Sequence, residues 1–283
     1  KLLNEYPGTT ALGEISSEDS IQTMADYSGA GRLHMVYSFE LLTEDFSAAY
    51  IRETVQRLER KLSDGWPCWA ISNHDVERVA SRWGKGKESP ELAAMLNALL
   101  GSLRGSICVY QGEELGLPEG DVPYELMRDP YGIAFWPDFK GRDGCRTPMP
   151  WDASDHAGFS AGEPWLPVMN NHRALSVAAQ SGDPNSSLNR FRRLQHWRRE
   201  QPALCWGSIR LLETPEPVLA FVREHAGQRL LAMFNLSDQH LRLECANEFA
   251  SWYSLHCPGP TNGVRREGNI LLPPHGVFYA EQR

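Results

Sequence analysis

Closely spaced cysteines are missing from this chain. Its six, Cys68, Cys108, Cys145, Cys205, Cys245 and Cys257, are scattered over 283 residues with no C-x-x-C pair. That excludes the ligand spacing of a zinc module and a disulfide framework, and it favours a reducing compartment. Long apolar runs are missing too. None reaches the ~18–20 residues a bilayer-spanning helix needs, so no membrane partner is expected. Basic residues form no cluster along a predicted face and the net charge is −8, which argues against a nucleic-acid partner. No internal repeat, low-complexity segment or signal peptide is evident. An initiating Met is also lacking. The chain opens on Lys1-Leu2-Leu3-Asn4-Glu5-Tyr6, which reads as a helix end broken by Pro7-Gly8, as though a longer protein were entered midway.

What is present is an alternation. Apolar runs at Thr9–Ile15, Leu33–Phe39, Cys68–Ile71 and Ser106–Tyr110 read as strands. Between them, helical spacing predicts helices ending near Tyr27, from about Ser47 to Leu62, and from Glu91 to about Leu103. Apolar strands alternating with amphipathic helices predict parallel βα units. From about 115 to 185 the chain is rich in Gly, Pro, Asp and Trp and shows little periodicity, as functional loops do. A helix returns over Leu188–Glu200. After Trp206, short β-prone runs separated by turn residues predict a small antiparallel β-sandwich. Two domains are expected, over 1–204 and 205–283.

The chemistry collects at strand ends. Glu14, Glu40, Asp75 and the pair Glu113-Glu114 each close an apolar run. In a parallel α/β barrel, that rim is where active sites lie. Carboxylates gathered there suit acid–base work if their surroundings differ. Taken singly, a strand-end carboxylate more often caps the next helix or pairs with an Arg. The stretch Asn73-His74-Asp75 is more telling, because three groups that hydrogen-bond or titrate follow directly on a buried run. No second His or Cys stands at ligand spacing, so no metal is expected here. Ser72 lacks a Gly-flanked elbow, so it does not read as a nucleophile.

At this point the residues resemble a family. Ser72-Asn73-His74-Asp75-Val76-Glu77-Arg78 is similar to the seventh-strand signature of the α-amylase family of glycoside hydrolases, family 13. Gly13-Glu14 resembles its fifth-strand signature. Tyr110–Gly116 and Gly141–Trp151 resemble the eighth-strand and following-loop motifs of its bacterial α-glucosidase branch. The resemblance implies an α/β fold, the C-terminal half of a TIM (β/α)8 barrel (strands 5–8), followed by an antiparallel all-β domain. It implies a retaining α-glucosidase acting on short oligosaccharides or sucrose-like glucosides, with some transglucosylation. Glu14 would be the general acid/base and would be partly buried. Asp75 would be the second, transition-state-stabilising carboxylate. His74 and Arg142 would hold the glucose, Phe39 would line the pocket near the leaving group, and Arg146 would contact the sugar or brace the loop.

The same resemblance implies what is not in this sequence. The nucleophile would be an Asp at the end of strand four, in the preceding half. No cofactor is required, and any structural Ca or Mg site would lie in that half. The partner would be a small α-glucoside. The unpaired outer strands predict either pairing with the N-terminal half-barrel or self-association. A bacterial, cytoplasmic protein is expected. The alternatives are a sucrose isomerase or transglycosylase of the same family, and a non-catalytic binding or scaffold homologue.

Overall fold

The computed structural model describes residues 2–29, 31–62 and 65–282. Lys1 of the expected opening helix lies outside them. Leu2–Glu5 forms a 3-10 turn. Strands β1 (Leu12–Gly13), β2 (Met35–Ser38), β3 (Pro67–Trp69) and β4 (Ser106–Ile107) make one parallel sheet in sequence order. Gly13 pairs with Val36, Ser38 with Trp69, and Trp69 with Ile107. Strands in sequence order with helical crossovers are the arrangement of a (β/α) barrel wall.

The crossovers are helices whose starts are written in the sequence. In α1 (Ser20–Ser28) the Asp19 side chain accepts from the Gln22 N–H. In α2 (Ala48–Lys61) Ser47 accepts from Tyr50 N–H. A six-residue helix, α3 (Val79–Gly84), then precedes α4 (Pro90–Ser102), where Ser89 accepts from Leu92 N–H and Pro90 opens the first turn. Each cap satisfies an amide that would otherwise be unpaired. Helix α2 buries Ile51, Val55 and Leu58 against the sheet. Helix α4 is buried on nearly every side.

Short helices α5 (Pro130–Ala134), α6 (Asn170–Arg173) and α7 (Val177–Ser181) punctuate the long loop region. Helices α8 (Ser187–Arg199) and α9 (Pro202–Trp206) lead into the β-rich part. There, β5 (Ser208–Leu212), β6 (Val218–His225), β7 (Gln228–Asn235), β8 (Leu241–Glu244), β9 (Tyr253–Leu255), β10 (Val264–Arg266), β11 (Asn269–Leu272) and β12 (Val277–Gln282) form two antiparallel sheets. Their orders are β5-β6-β7-β12-β9 and β10-β11-β8. Alternation along β6 and β7 divides the core. Leu219, Phe221, Leu230, Ala232 and Phe234 join the core of α2 and α4, whereas Val218, Ala220, Val222, Leu231 and Met233 join Ile270 and Leu272.

One buried cation ties the two parts. Arg223 on β6 has no solvent exposure and donates to the carbonyls of Ser102 (2.5 Å), Gly207 (2.9 Å) and Ser208 (3.0 Å). Ser102 is the last residue of α4, so the guanidinium also satisfies an end carbonyl at the negative pole of that helix. Burial pushes the Arg223 pKa down to about 9. Among the described residues, no helix is long and apolar enough to cross a membrane.

Candidate active site

Glu14 leaves the end of β1 directly after Gly13. A Cβ on Gly13 would run into the Leu33 side chain, so glycine there lets the chain carry Glu14 close over the second unit. His74 and Asp75 follow β3. The structure brings these three together: one nitrogen or oxygen from each lies within 4.8 Å of the others, and all three are exposed. His74 Nε2 stands 3.5 Å from Asp75 Oδ2. Among the described residues this trio is also close enough to share a cation. Two carboxylates beside an imidazole are as well suited to proton transfer and hydroxyl binding.

The turn carrying His74 and Asp75 is built from its own side chains. Asn73 Oδ1 accepts from the N–H groups of Asp75 (2.9 Å) and Val76 (3.1 Å), an Asx turn. Ser72 Oγ accepts from Val79 N–H at 2.9 Å, closing the loop onto α3. The Tyr37 hydroxyl donates to the Ser72 carbonyl. Arg82, 3% exposed, donates to the carbonyls of Leu41, Thr43, Ile71 and Glu77, so it knits the loops after β2 and β3.

The long loop returns two arginines to Asp75. Arg142 Nη1 donates to Asp75 Oδ1 at 3.0 Å and Arg146 Nη2 to the same oxygen at 2.9 Å. Arg146 Nε donates to the His74 carbonyl at 2.7 Å. Arg146 therefore braces the turn, one of the two tasks expected for it, and also pairs with the Asp75 carboxylate. Arg142 is itself held from behind. Asp129, whose side chain is wholly out of solvent, accepts from Arg142 Nε (2.9 Å), Nη2 (3.0 Å) and backbone N–H (2.8 Å). Those hydrogen bonds from Arg142 hold the Asp129 carboxyl down at about 2, and the Arg142 guanidinium is raised in turn. The Asp143 carboxylate accepts from the N–H groups of Arg128 (2.5 Å) and Asp129 (2.8 Å), which pins the loop.

The other strand-end carboxylates do not join the site. Glu40 accepts from Arg57 at 2.9 Å and from Ser20, so it braces α1 and α2. Glu113 is buried below the turn, and Glu114 accepts from Gly112 N–H. Phe39 is half-buried and packs edge-on to Tyr37 at 5.2 Å, behind the turn. One expectation is corrected. Glu14 is exposed rather than partly buried, at the end of an edge strand. Asp129 was not singled out in the sequence, and Asp143 stood in the Gly141–Trp151 motif with no role assigned to it. They lie in an aperiodic loop, where the structure also makes Asp129 the cap of α5, accepting from Tyr131 N–H.

The rim thus gathers an exposed carboxylate, an imidazole and an arginine-paired carboxylate at the ends of parallel strands. Residues 1–207 match the alpha amylase catalytic-domain family, and the chain belongs to the α-amylase family of glycoside hydrolases. It is 44% identical, over 99% of its length, to a probable alpha-glucosidase of Rhizobium meliloti (strain 1021) and covers 51% of that protein. It is 30% identical over 73% of its length to an oligo-1,6-glucosidase of Parageobacillus thermoglucosidasius, of which it covers 42%. Among solved structures, an alpha-glucosyl transfer enzyme, XgtA, superposes with a TM-score of 0.96 at 55% identity, covering all of this chain and 52% of that one. A trehalulose synthase, MutB, shares the fold with a TM-score of 0.85 at 24% identity. The chain spans about half the length of these relatives. They share its parallel sheet and separate antiparallel sheets, so the fold expected from the sequence, a TIM half-barrel with an all-β part, is the fold found.

Proposed function

We propose that this chain supplies one side of the active centre of a retaining α-glucosidase that cleaves terminal α-glucosidic bonds of short oligosaccharides or sucrose-like glucosides. The observation that carries the reading is the convergence of Glu14, His74 and Asp75 within 4.8 Å, with Arg142 and Arg146 paired to Asp75. Glu14, exposed at the rim, protonates the departing oxygen and later takes a proton from the incoming water. Asp75 and His74 bind sugar hydroxyls, and the Asp75 charge faces the oxocarbenium-like transition state. Arg142, anchored by Asp129, fixes the orientation of that carboxylate. The nucleophile is an Asp from a preceding half-barrel, roughly 5–5.5 Å from the acid/base as retention requires. The reading needs no cofactor.

Transfer of the glucosyl group to a sugar in place of water belongs to the same reading, and the 55% identity to an alpha-glucosyl transfer enzyme favours it. The exposed Leu12 on edge strand β1 supports docking of a preceding half or self-association. Six cysteines, all free, accord with a reducing bacterial cytoplasm. The test compares this chain alone with a full-length form, meaning this chain preceded by the half-barrel its relatives carry. The full-length form is expected to hydrolyse p-nitrophenyl α-glucoside and maltose, and the chain alone is not. Turnover by the chain alone, or none by the full-length form, would overturn the assignment. Product analysis on sucrose separates hydrolysis from isomerisation.

A further inference from the structure

Arg146, which pairs with Asp75, also lines a groove of about 490 Å³. The groove walls are apolar: Met149, Trp151, Phe159, Trp165 and Leu166. Trp151, Phe159 and Trp165 are 51%, 52% and 71% exposed. Aromatic rings gathered on a surface mark a binding site, because each has about 150–250 Å² to remove from water. The wall that carries them is preformed. The N–H groups of Trp151 and Asp152 both donate to the Ala157 carbonyl (2.8 and 3.1 Å), and Ala178 N–H on α7 donates to the Trp151 carbonyl at 2.9 Å. Gly158, at φ +62°, turns the chain before Phe159, and a Cβ there would strike Asp152. Arg173 on α6 donates to the Asp155 carbonyl at 2.7 Å. A wall fixed in this way loses little freedom when something packs on it.

The chemistry of the groove narrows its occupant. Its polar side chains already bond within the protein. Glu114 accepts from Gly112 N–H at 2.8 Å, Gln111 Nε2 donates to the Thr147 carbonyl at 3.4 Å, and Arg146 is held by Asp75 and the His74 carbonyl. A sugar needs hydrogen bonds for its hydroxyls as well as a ring face, whereas this wall offers ring faces and methyl groups. Apolar side chains of a protein segment fit it better.

The position of the groove says which segment. Gln111 and Glu114 belong to the loop that leaves β4, and among the described residues β4 has one sheet neighbour, β3. A closed barrel pairs its last strand with its first, so whatever completes this sheet must come up against that loop. The chain covers 51% and 52% of two relatives, so in them a comparable length of chain is available to do so. We infer that the groove is the seat of the preceding half-barrel: an apolar segment of that half packs on Trp151, Phe159 and Trp165 and closes the barrel one side chain, Arg146, away from Asp75. Docking here and at the exposed Leu12 of β1 uses both open edges of the sheet.

The inference rests on the proposed reading for the existence of a preceding half, and its readouts do not use activity. Hydroxyl-radical footprinting of the full-length form compares each ring with the same residue in a tryptic digest of the same protein. Trp165 and Trp151 are expected to be oxidised at least about tenfold more slowly in the folded protein, at every protein concentration and with no sugar added, as rings desolvated at the centre of an interface are. Oxidation of Trp165 within about twofold of the digest, in proportion to its 71% exposure, would overturn the proposal. So would protection that appears only with maltose, which would make the groove a substrate site, or protection that grows with protein concentration, which would make it a contact between copies. Trp165→Ser in the full-length form is expected to lower the thermal midpoint by about 3 °C or more, as loss of a buried Trp does. A shift under about 1 °C would overturn the proposal, and the wild-type footprint decides the matter if this variant does not fold. A full-length form that protects these rings but cleaves no glucoside would sink the glucosidase reading and uphold the docking.

Discussion

Replacing Asp129 with Asn separates the support of the site from the site itself. The Asp129 side chain is wholly out of solvent. Its fully covered carboxylate grips Arg142 through three hydrogen bonds, and Arg142 in turn meets Asp75 at 3.0 Å. Holding that carboxyl at about 2 rather than 3.8 is equivalent to about 2.5 kcal/mol of favourable interaction. The Arg142 side chain is 29% exposed, so solvent screens part of this and about 1–2 kcal/mol of stability is expected to be lost in Asp129→Asn at pH 7. The sign of the pH dependence follows from the lowered carboxyl. This stabilisation is complete above about pH 4 and is lost as pH falls through 2, so wild type and variant converge in acid. For catalysis, a guanidinium free to drift by about 1 Å is expected to cost about a hundredfold in kcat/KM of the full-length form. The assays are urea denaturation across pH 2–7 and hydrolysis of p-nitrophenyl α-glucoside. A variant within threefold of wild type in kcat/KM would refute the claim that Asp129 orients the site through Arg142.

Three further outcomes are expected. Arg223→Met removes the donor to three buried carbonyls and is expected to destabilise the fold by about 3 kcal/mol in urea denaturation; a loss below about 1 kcal/mol would show that the junction between α4 and β5 is held by apolar packing alone. The chain alone is expected to self-associate through its edge strands in size-exclusion chromatography, and a well-behaved monomer across micromolar concentrations would contradict this. Gly13→Ala is expected to push Leu33 against the end of β1 and to lower kcat of the full-length form about tenfold by displacing Glu14; unchanged kcat would show that Glu14 tolerates the shift.

Much of the scaffold was legible because its signals are local. Ser47 and Ser89 mark helix starts by side-chain chemistry, and Ile51, Val55 and Leu58 mark the buried face of α2 by spacing. Helix α3 and strand β10 were not legible. Six residues are too few for a helical period to show, and the three of β10, two of them Arg, are too few for an alternation. At the rim, residue type and strand-end position could not say which carboxylates converge. Glu40 and Glu113 satisfy the same pattern as Glu14 and Asp75. One is taken by Arg57 and Ser20 and the other is buried, because direction and neighbours are set by tertiary packing. The Asp129–Arg142 pair spans an aperiodic loop, where neither helical nor strand spacing links two positions.

The most direct measurement of the central claim is kcat/KM of Glu14→Gln in the full-length form, with maltose as substrate. The amide keeps the shape of the side chain and removes the proton that the leaving oxygen needs. A loss of about 10²–10⁴-fold is expected if Glu14 is the acid/base of a glucosidase centre shared with His74 and Asp75. Activity within a few-fold of wild type would contradict it.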